Sequence, residues 1–334
     1  MNLITGATGL LGSYLAKLLL SKGEKVRAIK RATSDVSLLG EYASKIEWVE
    51  ADVLDYPALE QALAGVERLY HCAAVISFMP AEYDDMAKVN VEGTANVMNA
   101  ALHAGVKKVM HVSSVAAFGL PTNHRTIDEK YSDPNISKCF AYFKSKHYAE
   151  REAWRANAEG LDVVVVCPST IIGAGWWDDE PNSLFKTIDN GLQFYTTATN
   201  GFVDVRDVVE CMYLLMLGAF KDERYIISAQ NESFKNLIWQ IADTLNVARP
   251  KLEAGSMLRE VAWRLEGMKS IFSHQRPLVT KHSAQLAGIN FTYSNQKVID
   301  ALGYRFRPLE QTIRDTANAY LQSKKSGKNY GVFI

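Results

Sequence analysis

Tyr142 and Lys146 stand four residues apart in Tyr142-Phe143-Lys144-Ser145-Lys146. Four residues make about one helical turn, so on a helix the two side chains share a face. A phenol ordinarily titrates at about 10. An ammonium beside it stabilises the phenolate and lowers that value, so the pair could exchange a proton near neutral pH. Ser114, at the end of Val112-Ser113-Ser114, could hydrogen-bond the oxygen that gains or loses this proton, with Ser113 as the alternative. Tyr-x-x-x-Lys is common on helix surfaces, so its meaning has to come from its surroundings.

A second group of residues has the makings of an anion site. Thr5-Gly6-Ala7-Thr8-Gly9-Leu10-Leu11-Gly12 joins an apolar strand pattern to a helical one. Glycines here allow a tight turn and let the backbone approach a pyrophosphate, while the free N–H groups and the helix dipole favour the charge. Gly6, Thr8, Gly9, Leu10, Leu11 and Gly12 are the candidate contacts. The Gly-x-x-Gly-x-x-Gly spacing departs from the common dinucleotide fingerprint, and the strand-to-helix context carries the reading. NAD sites place an acid near the end of the second strand. Here that strand ends in Lys30-Arg31, and the nearest acid is Asp35. Two cations fit a 2′-phosphate, so NADP is expected, with NAD as the alternative and a pair of solvated surface cations as the bland reading.

The elements that must position these groups alternate. Strand patterns run over Asn2–Thr5, Lys25–Ile29, Ile46–Val49, Arg68–Cys72, Lys108–Val112 and Asp162–Cys167. Helical patterns cover Leu10–Lys22, Tyr83–Ala104 and Ser137–Asn157. Such alternation predicts an α/β fold, a doubly wound parallel sheet of the Rossmann kind, with ligands beyond the carboxyl ends of the strands. After Cys167 the pattern loosens. A strand at Phe202–Val205, a helix at Asp207–Gly218 and a strand at Arg224–Ser228 follow, then helices near Phe234–Leu245, Met257–Met268 and Leu309–Ser323. The expected division is a nucleotide-binding domain over 1–167, with 201–229 returning to it. A smaller C-terminal substrate domain takes 168–200 and 230–323, and residues 324–334 form a mobile tail.

Composition limits the remaining choices. The chain has 334 residues, 48% of them hydrophobic, with 37 basic and 37 acidic side chains. Balanced charge without clusters argues against nucleic acid and acidic membranes as partners. No apolar run is long enough to span a bilayer, and no targeting segment is visible, so a cytoplasmic protein is expected. Cys72, Cys139, Cys167 and Cys211 lie at no metal-ligand spacing, and no metal is expected.

Taken together, these segments resemble the extended short-chain dehydrogenase/reductase family, within the NAD-dependent epimerase/dehydratase superfamily. The resemblance spans Thr5 to Gly12, Asp52-Val53, His71 to Ala74, Asn90 to Thr94, Val112 to Gly119, Tyr142 to Lys146, Phe202 to Asp207 and Leu302 to Phe306. It implies that Tyr142 is the general acid or base, that Lys146 tunes it and holds the nicotinamide ribose, and that Ser114 orients the substrate oxygen. It implies that Asp52 and Val53 flank the adenine and that Cys72, Ala73 and Ala74 pass close to the ribose and phosphates. Asn90 would be a structural or relay residue. Pro168, Ser169, Thr170, Ile171 and Ser183 would touch the nicotinamide end. A monomer or homodimer is implied.

Three functions fit that scaffold. One is a ketone or alcohol oxidoreductase similar to dihydroflavonol reductases and 3β-hydroxysteroid dehydrogenases. The second is a nucleotide-sugar epimerase or dehydratase, and the third a cofactor-binding regulator without chemistry. The intact Ser114, Tyr142 and Lys146 argue against the third. Val115-Ala116-Ala117 lacks the acid pair usual in the dehydratases, and Cys167 stands where the epimerases carry Asn, so the first is expected, with an apolar carbonyl or alcohol as substrate. Trp176, Trp177, Phe194 and Tyr195 either bind that substrate or pack the small domain.

Overall fold

The computed structural model describes residues 1–121, 126–261, 263–264 and 280–333. Seven parallel strands form the central sheet: β1 (Asn2–Thr5), β2 (Val26–Lys30), β3 (Glu47–Glu50), β4 (Arg68–His71), β5 (Lys108–Val112), β6 (Val163–Pro168) and β10 (Glu223–Ile227). Their order is β10-β6-β5-β4-β1-β2-β3. The order reverses between β1 and β4, and a ligand crevice opens at that switch point. β6 shows why the sheet is central. Its residues are all buried, Val163 and Val165 on one face and Val164 and Val166 on the other, as expected of a parallel strand covered on both sides.

One face carries α2 (Tyr56–Leu63), α4 (Gly93–His103) and α5 (Ala141–Ala158). The other carries α1 (Leu10–Ser21) and α7 (Val205–Leu217). The helix expected over Tyr83–Ala104 is interrupted. It divides into α3 (Tyr83–Ala87), a π-helical turn at Lys88–Glu92, and α4.

A third apolar cluster lies outside the sheet. It joins α6 (Ser183–Asp189), α8 (Phe234–Leu245) and the last helix, Leu309–Ser326, around Trp177 and Phe202. Beside it β7 (Thr170–Ile172), β9 (Thr199–Asp204) and β11 (Gln230–Ser233) form a small sheet, and β8 (Phe194–Tyr195) pairs with β12 (Leu252–Glu253). The helix expected over Met257–Met268 lies partly outside the described residues. Two further helices, α9 (Lys281–Leu286) and α10 (Gln296–Leu302), precede the last one, α11.

The residues after α11 do not behave as a free tail. The Trp177 N–H donates to Asn329 O at 3.0 Å and the Gly331 N–H to Gly175 O at 2.9 Å. The Phe333 N–H donates to the Tyr14 hydroxyl at 3.2 Å. Tyr330 and Phe333 find apolar partners in Trp176 and Tyr14, which is why this end docks despite its lysines.

Candidate active site

The glycine turn fills the β1 side of the crevice. Gly6 has φ +71, and a Cβ there would lie 2.7 Å from Ala73 N. A Cβ on Gly12 would lie 2.2 Å from Gly6 O, so the first turn of α1 can close on β1 only without a side chain. Gly9 differs. Its Cβ would meet nothing nearer than Gly6 O at 3.5 Å, and the residue is exposed. The close glycines thus shape the backbone and the third leaves an open cradle at the N-terminus of α1. An open helix N-terminus of this kind suits a dinucleotide pyrophosphate, with the Gly9 N–H itself donated to Gly6 O at 3.1 Å. Thr8, Leu10 and Leu11 border it, half-buried.

A buried polar chain ties this turn to the β4 side. The Ala73 N–H donates to Thr5 Oγ1 at 3.1 Å, and Thr5 Oγ1 meets His71 Nδ1 at 2.8 Å. His71 Nε2 meets Thr94 Oγ1 at 2.9 Å, and that hydroxyl donates to Asn90 O. One assignment satisfies every group: Thr5 donates to Nδ1, and Nε2–H donates to Thr94. Neutral imidazole is what this needs, and burial pushes His71 down to about 3, with Lys146 acting in the same sense. Asn90 sits on the π-helical turn. Its Oδ1 accepts the Val75 N–H at 2.8 Å, and its Nδ2 donates to Val75 O at 2.9 Å and to Ser145 Oγ at 3.0 Å. Asn90 therefore fixes the path of Cys72, Ala73 and Ala74 beside the turn. Asp52 Oδ1 accepts the Leu54 N–H, and buried Val53 packs on Gly93, beyond the end of β3.

Tyr142, Ser114 and Lys146 converge at the carboxyl end of β5. Ser114 lies close enough to the Tyr142 phenol to favour its ionised form. Ser114 also caps the short helix Val115–Phe118 by accepting the Ala116 N–H at 3.1 Å. Ser113 is committed elsewhere, donating to buried Glu150 Oε2 at 2.6 Å, which leaves Ser114 as the serine that faces the tyrosine. The expected lowering of the phenol is not found. Burial pushes Tyr142 above its ordinary value, and the neighbouring Ser114 hydroxyl opposes that rise. The ammonium of Lys146 is anchored on Val112 O at 2.9 Å instead. Burial lowers Lys146 itself to about 8, and Cys167, Glu150 and Cys72 act against that drop.

Glu150 is the residue that motif reasoning passed over. It lies one turn beyond Lys146 on the same face of α5. Besides Ser113 it accepts from Trp154 Nε1 at 3.1 Å and pairs with Arg224 at 3.1 Å, so a buried ion pair braces the back of the site against β10.

The remaining candidates divide. Lys30 ends β2 and Arg31 is exposed beyond it; among the described residues neither side chain is in an ion pair. Asp35 is engaged, its carboxylate accepting the Ser37 N–H at 2.7 Å. Pro168 closes β6, and Thr170 and Ile171 form part of β7. Ser169 is buried beside Gly201, and its Oγ finds no hydrogen-bond partner among the described residues. Ser183 begins α6. Three of the four aromatics are packed, and Phe194 is exposed. Trp177 is buried against Phe185 and Tyr320, Trp176 lies on Tyr330, and Tyr195 lies on Trp239.

A family model described as the NAD dependent epimerase/dehydratase family matches residues 2–228. Sterol demethylase protein B of Methylococcus capsulatus is 32% identical over 291 residues, 85% of this chain and 87% of that protein. Cinnamoyl-CoA reductase 1 of Petunia hybrida is 29% identical over 338 residues, 96% of this chain and 92% of that protein. The crystal structure of gox2253 superimposes with a TM-score of 0.83 at 30% identity, covering 98% of this chain and 99% of that one.

Proposed function

This chain belongs to the NAD dependent epimerase/dehydratase family, and from that premise we propose that it is an NADP(H)-dependent oxidoreductase that interconverts an apolar ketone or aldehyde and its alcohol. The observation that carries the reading is the meeting of Ser114, Tyr142 and Lys146 at the sheet edge, next to the glycine cradle. The bound nicotinamide would supply or accept the hydride at the carbonyl carbon. Tyr142 donates its phenolic proton to the carbonyl oxygen, or takes it back in the reverse direction, and Ser114 holds that oxygen by a hydrogen bond. Lys146 spends one N–H on Val112 O and keeps two more for the ribose hydroxyls. Val115, Ala116 and Ala117 are buried and apolar, which favours this chemistry over a dehydratase that needs further acid-base groups beside the serine. A relative named as a cinnamoyl-CoA reductase is in keeping with it. Exposed Arg31, Lys30 and the engaged Asp35 support the choice of NADP.

The test is NADPH consumption with a panel of aryl and alkyl ketones and aldehydes, beside thermal unfolding with UDP- and dTDP-sugars. Turnover of some carbonyl compounds is expected, with no melting shift from the nucleotide sugars, since only a binder stabilises by mass action. Tyr142→Phe should lower turnover by roughly 10²-fold or more and leave NADPH affinity within about twofold. A melting shift with a nucleotide sugar and no activity on any carbonyl compound would reverse the assignment.

A further inference from the structure

We infer that Val75, Ile76 and Phe78 form the wall that selects the substrate, and that they accept an aryl or bulky alkyl substituent of the carbonyl carbon; this rests on the carbonyl-reductase reading above. The segment leaves β4 next to the loop that carries Ser114, because β4 and β5 pair with His71 opposite His111. The Phe78 ring stands edge-on to the Tyr142 ring with centroids 5.8 Å apart. Phe78 therefore borders the Tyr142 ring, with Val75 and Ile76 preceding it on the same segment.

Several of its polar atoms are already engaged. Asn90 takes both backbone groups of Val75. Ser77 Oγ donates to Glu82 at 2.8 Å and accepts the Met79 N–H at 3.0 Å. The Phe78 carbonyl accepts from the Tyr83 hydroxyl at 3.3 Å. What remains outward is apolar: Val75 is 36% exposed and Ile76 56% exposed. Two adjacent exposed apolar residues beside convergent polar groups are the composition from which a ligand site is built. The wall continues through Tyr83, which stacks on and hydrogen-bonds His282 of α9, to Phe140, whose ring is 5.1 Å from His282 and which immediately precedes α5. A polar substituent laid against Val75 and Ile76 would lose water and gain no partner there. Trp177, which could have served a substrate or the core, is enclosed in the small cluster.

The experiment uses the NADPH-saturated protein and two carbonyl compounds, benzylacetone as the aryl ketone and glycolaldehyde as the small polar one. Ile76→Ser and Phe78→Ala are compared with Phe194→Ala, a change at an exposed aromatic on β8. Each wall variant should raise KM for benzylacetone about tenfold, the size expected for one lost apolar contact, while kcat and the KM for glycolaldehyde stay within about twofold. Phe194→Ala should change neither. An unchanged benzylacetone KM in both wall variants, or an equal rise for glycolaldehyde, would overturn the inference while leaving the reductase reading intact. If the unaltered protein reduces neither compound, the reductase reading rests on the wider carbonyl panel. The wall is then judged by calorimetric titration of the NADPH complex with the alcohol of benzylacetone. Binding weakened about tenfold by Ile76→Ser sustains it, and equal or undetectable binding refutes it.

Discussion

Replacing Asn90 by Ala removes three hydrogen bonds at 2.8, 2.9 and 3.0 Å from one buried side chain. Each is worth about 1 kcal/mol net, and more where a buried partner is left unsatisfied. The partners differ in what they lose. Ser145 Oγ keeps the Tyr142 carbonyl as its acceptor at 2.8 Å, so it is not orphaned. Val75 has an exposed side chain, and water can reach its freed backbone groups in part. The expected loss is therefore about 2 kcal/mol, below the roughly 3 kcal/mol of a plain sum. Urea unfolding of the variant and the parent protein measures it. The same variant frees Ala73, Ala74 and Val75, so NADPH affinity and the KM for an apolar carbonyl should both worsen several-fold. A loss under about 0.5 kcal/mol with unchanged KM would refute the role of Asn90 as the pin of this segment.

Two further outcomes follow from charge. Arg31→Ala should narrow the preference for NADPH over NADH by roughly tenfold or more, read by fluorescence titration with both cofactors; equal affinities in the parent protein would instead point to Asp35 at the ribose. Lys146, lowered by burial to about 8, pays for its charge in the folded state below that pH and is free of the penalty above its ordinary 10.5. Stability should gain from this residue as the pH rises from about 8 to 10.5, and Lys146→Met should flatten that rise in urea unfolding, while NADPH affinity of the parent protein falls over the same interval. A parent protein with no such slope relative to the variant would contradict the burial of a charged Lys146.

The sheet was legible because its signals are local. Short β-rich runs alternate with helical periodicity, and the strands read from that pattern lie within a residue or two of β1 to β6. The glycine turn and the Tyr142–Lys146 spacing were legible for the same reason, since each needs only neighbours in sequence. What could not be read were choices set by distant partners. Ser114 was preferred over Ser113 from the sequence, but the reason, that Glu150, 37 residues on, claims Ser113, was not visible there. Trp177 suited a substrate as well as a core until Phe185 and Tyr320 enclosed it. The direction of the Tyr142 shift depended on burial, which sums over the whole fold. Docking of residues 327–333 depended on Tyr14 and Trp176, neither of which is near them in the chain.

The contact between Phe333 and Tyr14 spans 319 residues. Tyr14 belongs to the helix whose first turn builds the cradle, its hydroxyl also donates to Ala174 O at 2.9 Å, and the Arg206 guanidinium lies 4.1 Å from the centre of the Phe333 ring. On the ribosome, all seven strands of the central sheet are made by residue 227, a hundred residues before this strap emerges. A nascent chain can thus assemble its sheet while the outer side of the cradle helix still lacks its cover. A change that loosens Phe333 from Tyr14 would therefore be felt first at the nucleotide end.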